Sequence, residues 1–132
     1  MTAMLKKLTP NLMVEDVNRT VAFYQEVLGF ELLTSVPEEG QLAWAMLKRG
    51  GVELMFQTRG SLTEELPSLG GKDIGGTFNL YIDVEDIQGL YAAIRDKVTV
   101  VANMHTTFYG ANEIAIEDCN GYILTFAESA NG

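Results

Sequence analysis

Several residue types are scarce in this chain of 132 residues, and each scarcity excludes a class of chemistry. There is one cysteine, Cys119, so no disulfide can close within the chain. With a single histidine, His105, beside it, the usual multi-ligand zinc sites, haem ligation and redox dithiols are all disfavoured. The nine Lys and Arg side chains face eighteen Asp and Glu, a net charge of −9, which excludes a nucleic-acid partner bound through its phosphates. No long apolar run exists either. The longest, Leu42 to Leu47, has six residues, against the ~20 a membrane helix needs. Lys6 and Lys7 near the start are followed by no apolar stretch of the secretory kind. The expectation is a cytoplasmic protein with no membrane association.

What the chain has in quantity is core-forming material. Apolar residues make up 47% and charged residues 20%, which excludes disorder, and the length suits a single domain burying roughly two thirds of its unfolded surface. Residues 8 to 14 read as a short strand. Asp16 then caps a helix whose Val17, Val21, Tyr24 and Leu28 share one face and which stops at Gly29. Strand-like runs follow at Phe30 to Val36, Gln41 to Lys48 and Gly51 to Gln57, giving the order β-α-β-β-β.

The second half repeats the first. Val14, Glu15, Asp16, Val17 returns seventy residues later as Val84, Glu85, Asp86, Ile87, and Leu54 with Phe56 returns as Leu124 with Phe126. A second helix carries Ile87, Leu90, Tyr91 and Ile94 on one face, and strands are expected near Val98 to Ala102, Thr106 to Tyr109, Glu113 to Asp118 and Tyr122 to Ala127. The chain is therefore read as one α+β domain built of two tandem β-α-β-β-β modules, residues 5–57 and 77–128, joined by a glycine-rich linker or lid at 58–76.

Alternation splits each sheet into two faces. Leu12, Val14, Val52, Leu54 and Phe56, with Leu80, Ile82, Val84, Tyr122, Leu124 and Phe126, form a uniformly apolar, helix-packing side. The opposite face mixes Thr9, Asn11, Met13, Glu53, Met55 and Gln57 with Asn79, Tyr81, Asp83, Ile123, Thr125 and Ala127. Large apolar side chains among polar ones read as a ligand cleft, because Met13, Met55, Tyr81 and Ile123 would otherwise form an exposed apolar patch. Glu53, flanked by Val52 and Leu54, is the sharpest residue: desolvation would raise its pKa and suit it to act as base, ligand or anchor, although a strand open to water leaves it merely solvated. Asp83, Glu113 and Glu117 extend the alternation into an acidic cleft that would concentrate cations. By the seventy-residue offset Trp44 and Met46 correspond to Ile114 and Ile116, which assigns them to core packing. His105 stands without a catalytic or metal-spacing constellation. The carboxylates around Cys119 oppose a thiolate there.

The run VEDVNRTVAFYQEVLGF at Val14 to Phe30, with Phe108, Tyr109, Gly110 and IEDCNGYILTFAE at Ile116 to Glu128, resembles the vicinal oxygen chelate superfamily of glyoxalase I, extradiol dioxygenases and bleomycin-resistance proteins. The resemblance implies two modules whose curved mixed sheets surround a cleft, commonly in a homodimer. In metal-using members one ligand comes from the first and one from the last strand of each module. Those positions fall here at Thr9, Glu53, Asn79 and Thr125, and only Glu53 matches the usual donors. One carboxylate among neutral oxygens suits a transition ion poorly, so no cofactor is expected, and a divalent metal at Glu53 is the minor alternative. The resemblance thus implies a metal-free protein of the bleomycin-resistance type that binds a small cationic molecule through Asn11, Met13, Glu53, Met55, Asn79, Tyr81, Asp83, Tyr109 and Thr125. The alternatives are a glyoxalase-like lyase or isomerase, or a dioxygenase-family enzyme, with Glu53 as its catalytic residue, and a protein-interaction module with a vestigial cleft.

Overall fold

A computed structural model describes residues 3–129. The strands are β1 (Asn11–Val14), β2 (Glu31–Val36), β3 (Trp44–Arg49), β4 (Val52–Thr58), β5 (Asn79–Asp83), β6 (Thr99–Thr106), β7 (Ala111–Glu117) and β8 (Ile123–Ser129). The helices are α1 (Val17–Glu26), α2 (Arg59–Glu65) and α3 (Ile87–Ile94), with a 3-10 turn at Pro67–Leu69. The strands form two four-stranded mixed sheets, β1-β4-β3-β2 and β5-β8-β7-β6. In each, a parallel pair (β1 with β4, β5 with β8) meets two antiparallel hairpin pairs. The fold is α+β, as the patterning of the sequence indicated.

Both long helices begin where the acidic caps stand. The Asp16 side chain accepts from the Arg19 amide at 3.0 Å, and Asp86 accepts from that of Gly89 at 3.1 Å, each satisfying an N-terminal donor that the helix itself leaves open. Asp86 takes a left-handed conformation, φ 61°, and the Glu128 carboxylate holds it by accepting from the Asp86 and Ile87 amides. The helix-facing side chains of both sheets join one core: Leu12, Val14, Tyr24, Leu54 and Phe56 cluster with Ile87, Ile94, Ile114, Leu124 and Phe126. Tyr24 sits at its centre, with ring centroids 5.3 Å from Phe30 and 4.8 Å from Phe56.

The halves interlock where α1 meets the turn before β8. The Tyr24 hydroxyl donates to Asp118 at 2.6 Å, Tyr122 donates to the Met13 carbonyl at 2.6 Å, and the Asn120 amide donates to the Thr20 hydroxyl at 3.0 Å. Asp118 is held in turn by the backbone amides of Asn120 and Tyr122.

Three sequence expectations need correction. No separate strand occupies Thr106 to Tyr109: β6 runs unbroken to Thr106, and residues 107–110 turn back, with Gly110 at φ 84° and its amide bonded to the Thr107 carbonyl at 3.1 Å. The stretch after β4 is partly helical, because Thr58 caps α2 by accepting from the Ser61 amide at 3.2 Å. The third concerns β3. Its turn to β4 holds two residues between the paired Arg49 and Val52, whereas three separate the bonded Asp118 and Tyr122. The offset between modules therefore drops from 70 to 69 across β3 and β7, and a one-residue change exchanges the faces of a strand. Ala45 and Leu47, not Trp44 and Met46, are the counterparts of buried Ile114 and Ile116. Trp44 and Met46 lie on the mixed face, paired across to Gln57 and Met55.

Candidate functional site

The mixed face of the first sheet is assembled by register. Met55 stands between Asn11 on β1 and Met46 on β3, and Gln57 between Met13 and Trp44. The Asn11 side-chain amide donates to Gln57 at 2.9 Å, and Gln57 donates to Ser61 and Glu65 of α2 at 2.9 and 3.2 Å. The linker helix thus lies against β1 and β4, and it covers the Gln57 end of this face, where Met13 and Gln57 are both buried. Met55, Met46 and Trp44 remain half-buried.

Glu53 sits at the other end of the same face, and its carboxylate is occupied. Lys7, from the segment preceding β1, donates to it at 2.6 Å, and Lys48 is its cross-strand neighbour. The hydrogen bond and charge of Lys7 hold Glu53 below the ordinary carboxylate value, against the opposing effect of burial. The raised pKa expected from its apolar neighbours is therefore overturned by a lysine 46 residues away in sequence.

On the second sheet the register groups Asn79, Ile123 and Glu117, then Tyr81, Thr125 and Ala115, then Asp83, Ala127 and Glu113. Thr125 donates to Asn79 at 2.7 Å. The polar centre of this sheet is Glu113, only 7% exposed, whose Oε2 accepts the hydroxyl of Tyr81 at 2.6 Å and also that of Tyr109. Burial disfavours its charge, yet the hydroxyls of Tyr109 and Tyr81, with the charge of His105, outweigh that and hold Glu113 below the ordinary carboxylate value. The same hydrogen bond pushes the Tyr81 phenol up. Both tyrosines are themselves exposed, Tyr81 at 52% and Tyr109 at 57%. The arrangement is a buried carboxylate roofed by two aromatic rings. Glu113 was visible to sequence reasoning only as part of an extrapolated acidic row; the hydrophobic strand it interrupts, ANEIAIE, was the available signal.

The structure brings Glu53, Tyr81 and Asp83 to one place. They line a hollow of about 420 Å³ at the seam between β4 and β5, with Leu8 and Pro10 at its side. Thr125 belongs to the second sheet, Tyr109 to the turn between β6 and β7, and Asn11, Met13 and Met55 to the first sheet; none of these lines that hollow. His105 pairs across to Glu113 and is exposed, its Nδ1 donating to the Asn103 carbonyl at 2.7 Å. Burial, and then the charge of Asp118, push the Cys119 thiol up, which makes it a weak nucleophile.

The sequence profile of the Glyoxalase/Bleomycin resistance protein/Dioxygenase superfamily matches residues 6–126. The chain belongs to that superfamily. Several solved structures share its fold at low identity. A glyoxalase/bleomycin resistance protein/dioxygenase from Nocardioides is 20% identical with a TM-score of 0.79, covering 99% of this chain and 88% of its own. TioX from Micromonospora sp. ML1 is 19% identical with a TM-score of 0.75, covering 93% and 98%. A glyoxalase/bleomycin resistance protein/dioxygenase family enzyme from Burkholderia phytofirmans PsJN is 20% identical with a TM-score of 0.74, covering 91% and 95%. No curated relative matches the chain. Among the described residues no helix is long and apolar enough to cross a membrane.

The metal of metal-using superfamily members finds a poor donor set here. Of the four corresponding positions, Glu53 is engaged by Lys7, Asn79 and Thr125 are hydrogen-bonded to each other, and Thr9 offers a neutral hydroxyl. No three His, Cys, Asp or Glu side chains gather within reach of one ion among the described residues. Tight binding of a transition ion needs several such donors.

Proposed function

We propose that this superfamily member is a metal-free binding protein that sequesters a small cationic, partly aromatic molecule on its mixed face, as a homodimer. The observation that carries the reading is Glu113. A carboxylate kept ionised under two exposed tyrosines offers a cation both charge and π-surface, and Asp83 on the same face adds a second charge. The half-buried Met46, Met55 and Trp44 on the first sheet would supply apolar contact area. Neutral Asn11, Asn79 and Thr125 would orient the ligand through hydrogen bonds. Function then lies in affinity, and Glu53, locked to Lys7, serves as a charge on the rim.

Trp44 provides the test. Titration with basic glycopeptide antibiotics and polyamines is expected to shift its emission and to release heat, with both signals lost in Glu113→Gln. Flat emission and no heat across the panel would refute the reading. Sedimentation analysis is expected to give a dimer.

A further inference from the structure

The helix-packing side of the molecule holds a cavity at the seam between the modules, and its origin is visible in the internal repeat. Val52 stands where the second module has Tyr122, since both follow the hairpin turn and pair with Arg49 and Asp118 respectively. Tyr122 crosses to the Met13 carbonyl and fills the junction between its turn and α1. At the equivalent junction with α3, Val52 and the glycine pair Gly50, Gly51 are too small to do so. A cavity of about 400 Å³ is left, within the range of small-molecule sites.

Its lining is specific. Leu28, Phe30, Leu90 and Phe126 give it apolar walls. Arg49 stands on the wall from the first module, and Asp83 and Glu85 on the wall from the second. None of these three charges makes an ion pair among the described residues. Arg49 uses Nη1 to bind the Leu28 carbonyl at 2.7 Å, and no other hydrogen bond of its guanidinium is present among the described residues. A guanidinium from one module and the Glu85 carboxylate from the other, bordering one apolar cavity and unpaired with each other among the described residues, match a ligand that carries both charges itself.

We infer that this cavity binds a free α-amino acid with an apolar side chain. The carboxylate meets the Arg49 guanidinium, a planar donor suited to bidentate pairing. The ammonium meets Glu85, and the side chain occupies the space that the Tyr122 ring fills in the other half. Because the ligand touches both modules, binding fastens a junction that the protein alone leaves open, and the melting temperature rises with ligand concentration. The cavity adjoins the hollow beside Glu53, sharing Gly51, Val52, Ile82 and Asp83 with it, while none of Glu113, Tyr81 and Tyr109 lines the cavity.

The test is calorimetry and thermal shift on the whole chain with L-phenylalanine, L-leucine and L-methionine, against phenethylamine and 3-phenylpropionate, each of which lacks one charge. Binding of the amino acids is expected, with affinity lower by about tenfold or more for either single-charge analogue. Val52→Tyr copies the filled junction of the second module and is expected to abolish binding while melting at or above the parent temperature. Glu85→Gln, on an exposed residue, is expected to weaken the amino acids by about tenfold and leave 3-phenylpropionate unchanged. Tyr109→Ala, on the mixed face, should not alter amino-acid affinity, which separates this site from the one proposed above. The inference is overturned if no amino acid binds, if the single-charge analogues bind as well, if folded Val52→Tyr retains affinity, or if Tyr109→Ala loses it.

Discussion

Removing one oxygen atom at the junction of the modules tests how the halves are held. In Tyr24→Phe the ring keeps its contacts with Phe23, Phe30 and Phe56, and the lost group is the hydroxyl that donates to buried Asp118 at 2.6 Å. Asp118 retains the amides of Asn120 and Tyr122 on its other oxygen, so the loss is that of a single hydrogen bond to a buried carboxylate, about 1.5–3 kcal/mol. An unfolding entropy of about 2.1 cal/mol/K per residue makes each kcal/mol worth roughly 3–4 °C at this chain length, so the variant should melt about 5–11 °C lower. Burial, and then the Asp118 charge, push the Tyr24 phenol well above its ordinary value of 10.0. The native state therefore holds this proton after the unfolded chain has released it. The contribution is complete below about pH 10 and declines as the pH rises beyond it. Urea titrations of both proteins from pH 7 to 11.5 are the assay. The stability gap should be constant to about pH 10 and then narrow, because phenylalanine has no proton to lose. A gap under about 0.5 kcal/mol at neutral pH, or one that does not narrow, would refute this account of the junction.

Other perturbations follow from the same geometry. Because two tyrosine hydroxyls hold Glu113 below the ordinary carboxylate range, affinity for a cationic ligand should persist as the pH falls through 4.5 and fail only below it. In the Tyr81→Phe, Tyr109→Phe double variant, calorimetry should place that loss at higher pH, since only the charge of His105 then opposes burial. Lys7→Gln frees the Glu53 carboxylate and should tighten polyamine binding several-fold, whereas Glu53→Gln should weaken it, with circular dichroism unchanged in both. Gly89→Ala sets a Cβ 2.3 Å from the Asp86 carboxylate, which must leave its capping position. A thermal scan should show a loss of about 1–2 kcal/mol, the usual cost of a removed cap.

Legibility in the sequence followed the range of the interactions. Helices begun by Asp16 and Asp86, and strands whose faces alternate from Leu12 to Val14 and from Leu54 to Phe56, are determined by neighbours within four residues, and these readings agree with the structure. The face of β3 is not set by its own residues, because it depends on the length of a turn elsewhere: one residue fewer between Arg49 and Val52 than between Asp118 and Tyr122 turns Trp44 outward from the core. The mixed composition of residues 9–13 and 79–83 marked the face that carries the candidate site. Its electrostatics were not legible, because they rest on distant partners. Lys7 reaches Glu53 from 46 residues away, and Tyr81 reaches Glu113 across 32, so no local pattern announces either.

The two hairpin turns also bear on how such a duplicated chain can acquire new behaviour. With its extra residue, the Asp118–Tyr122 turn serves as a clasp, and any drift there would loosen the whole molecule. The Gly50, Gly51 turn has no such duty. Evolution can therefore rework its surroundings freely, and a copy relieved of structural work is where a lineage of such proteins can try out new ligands without first losing its fold.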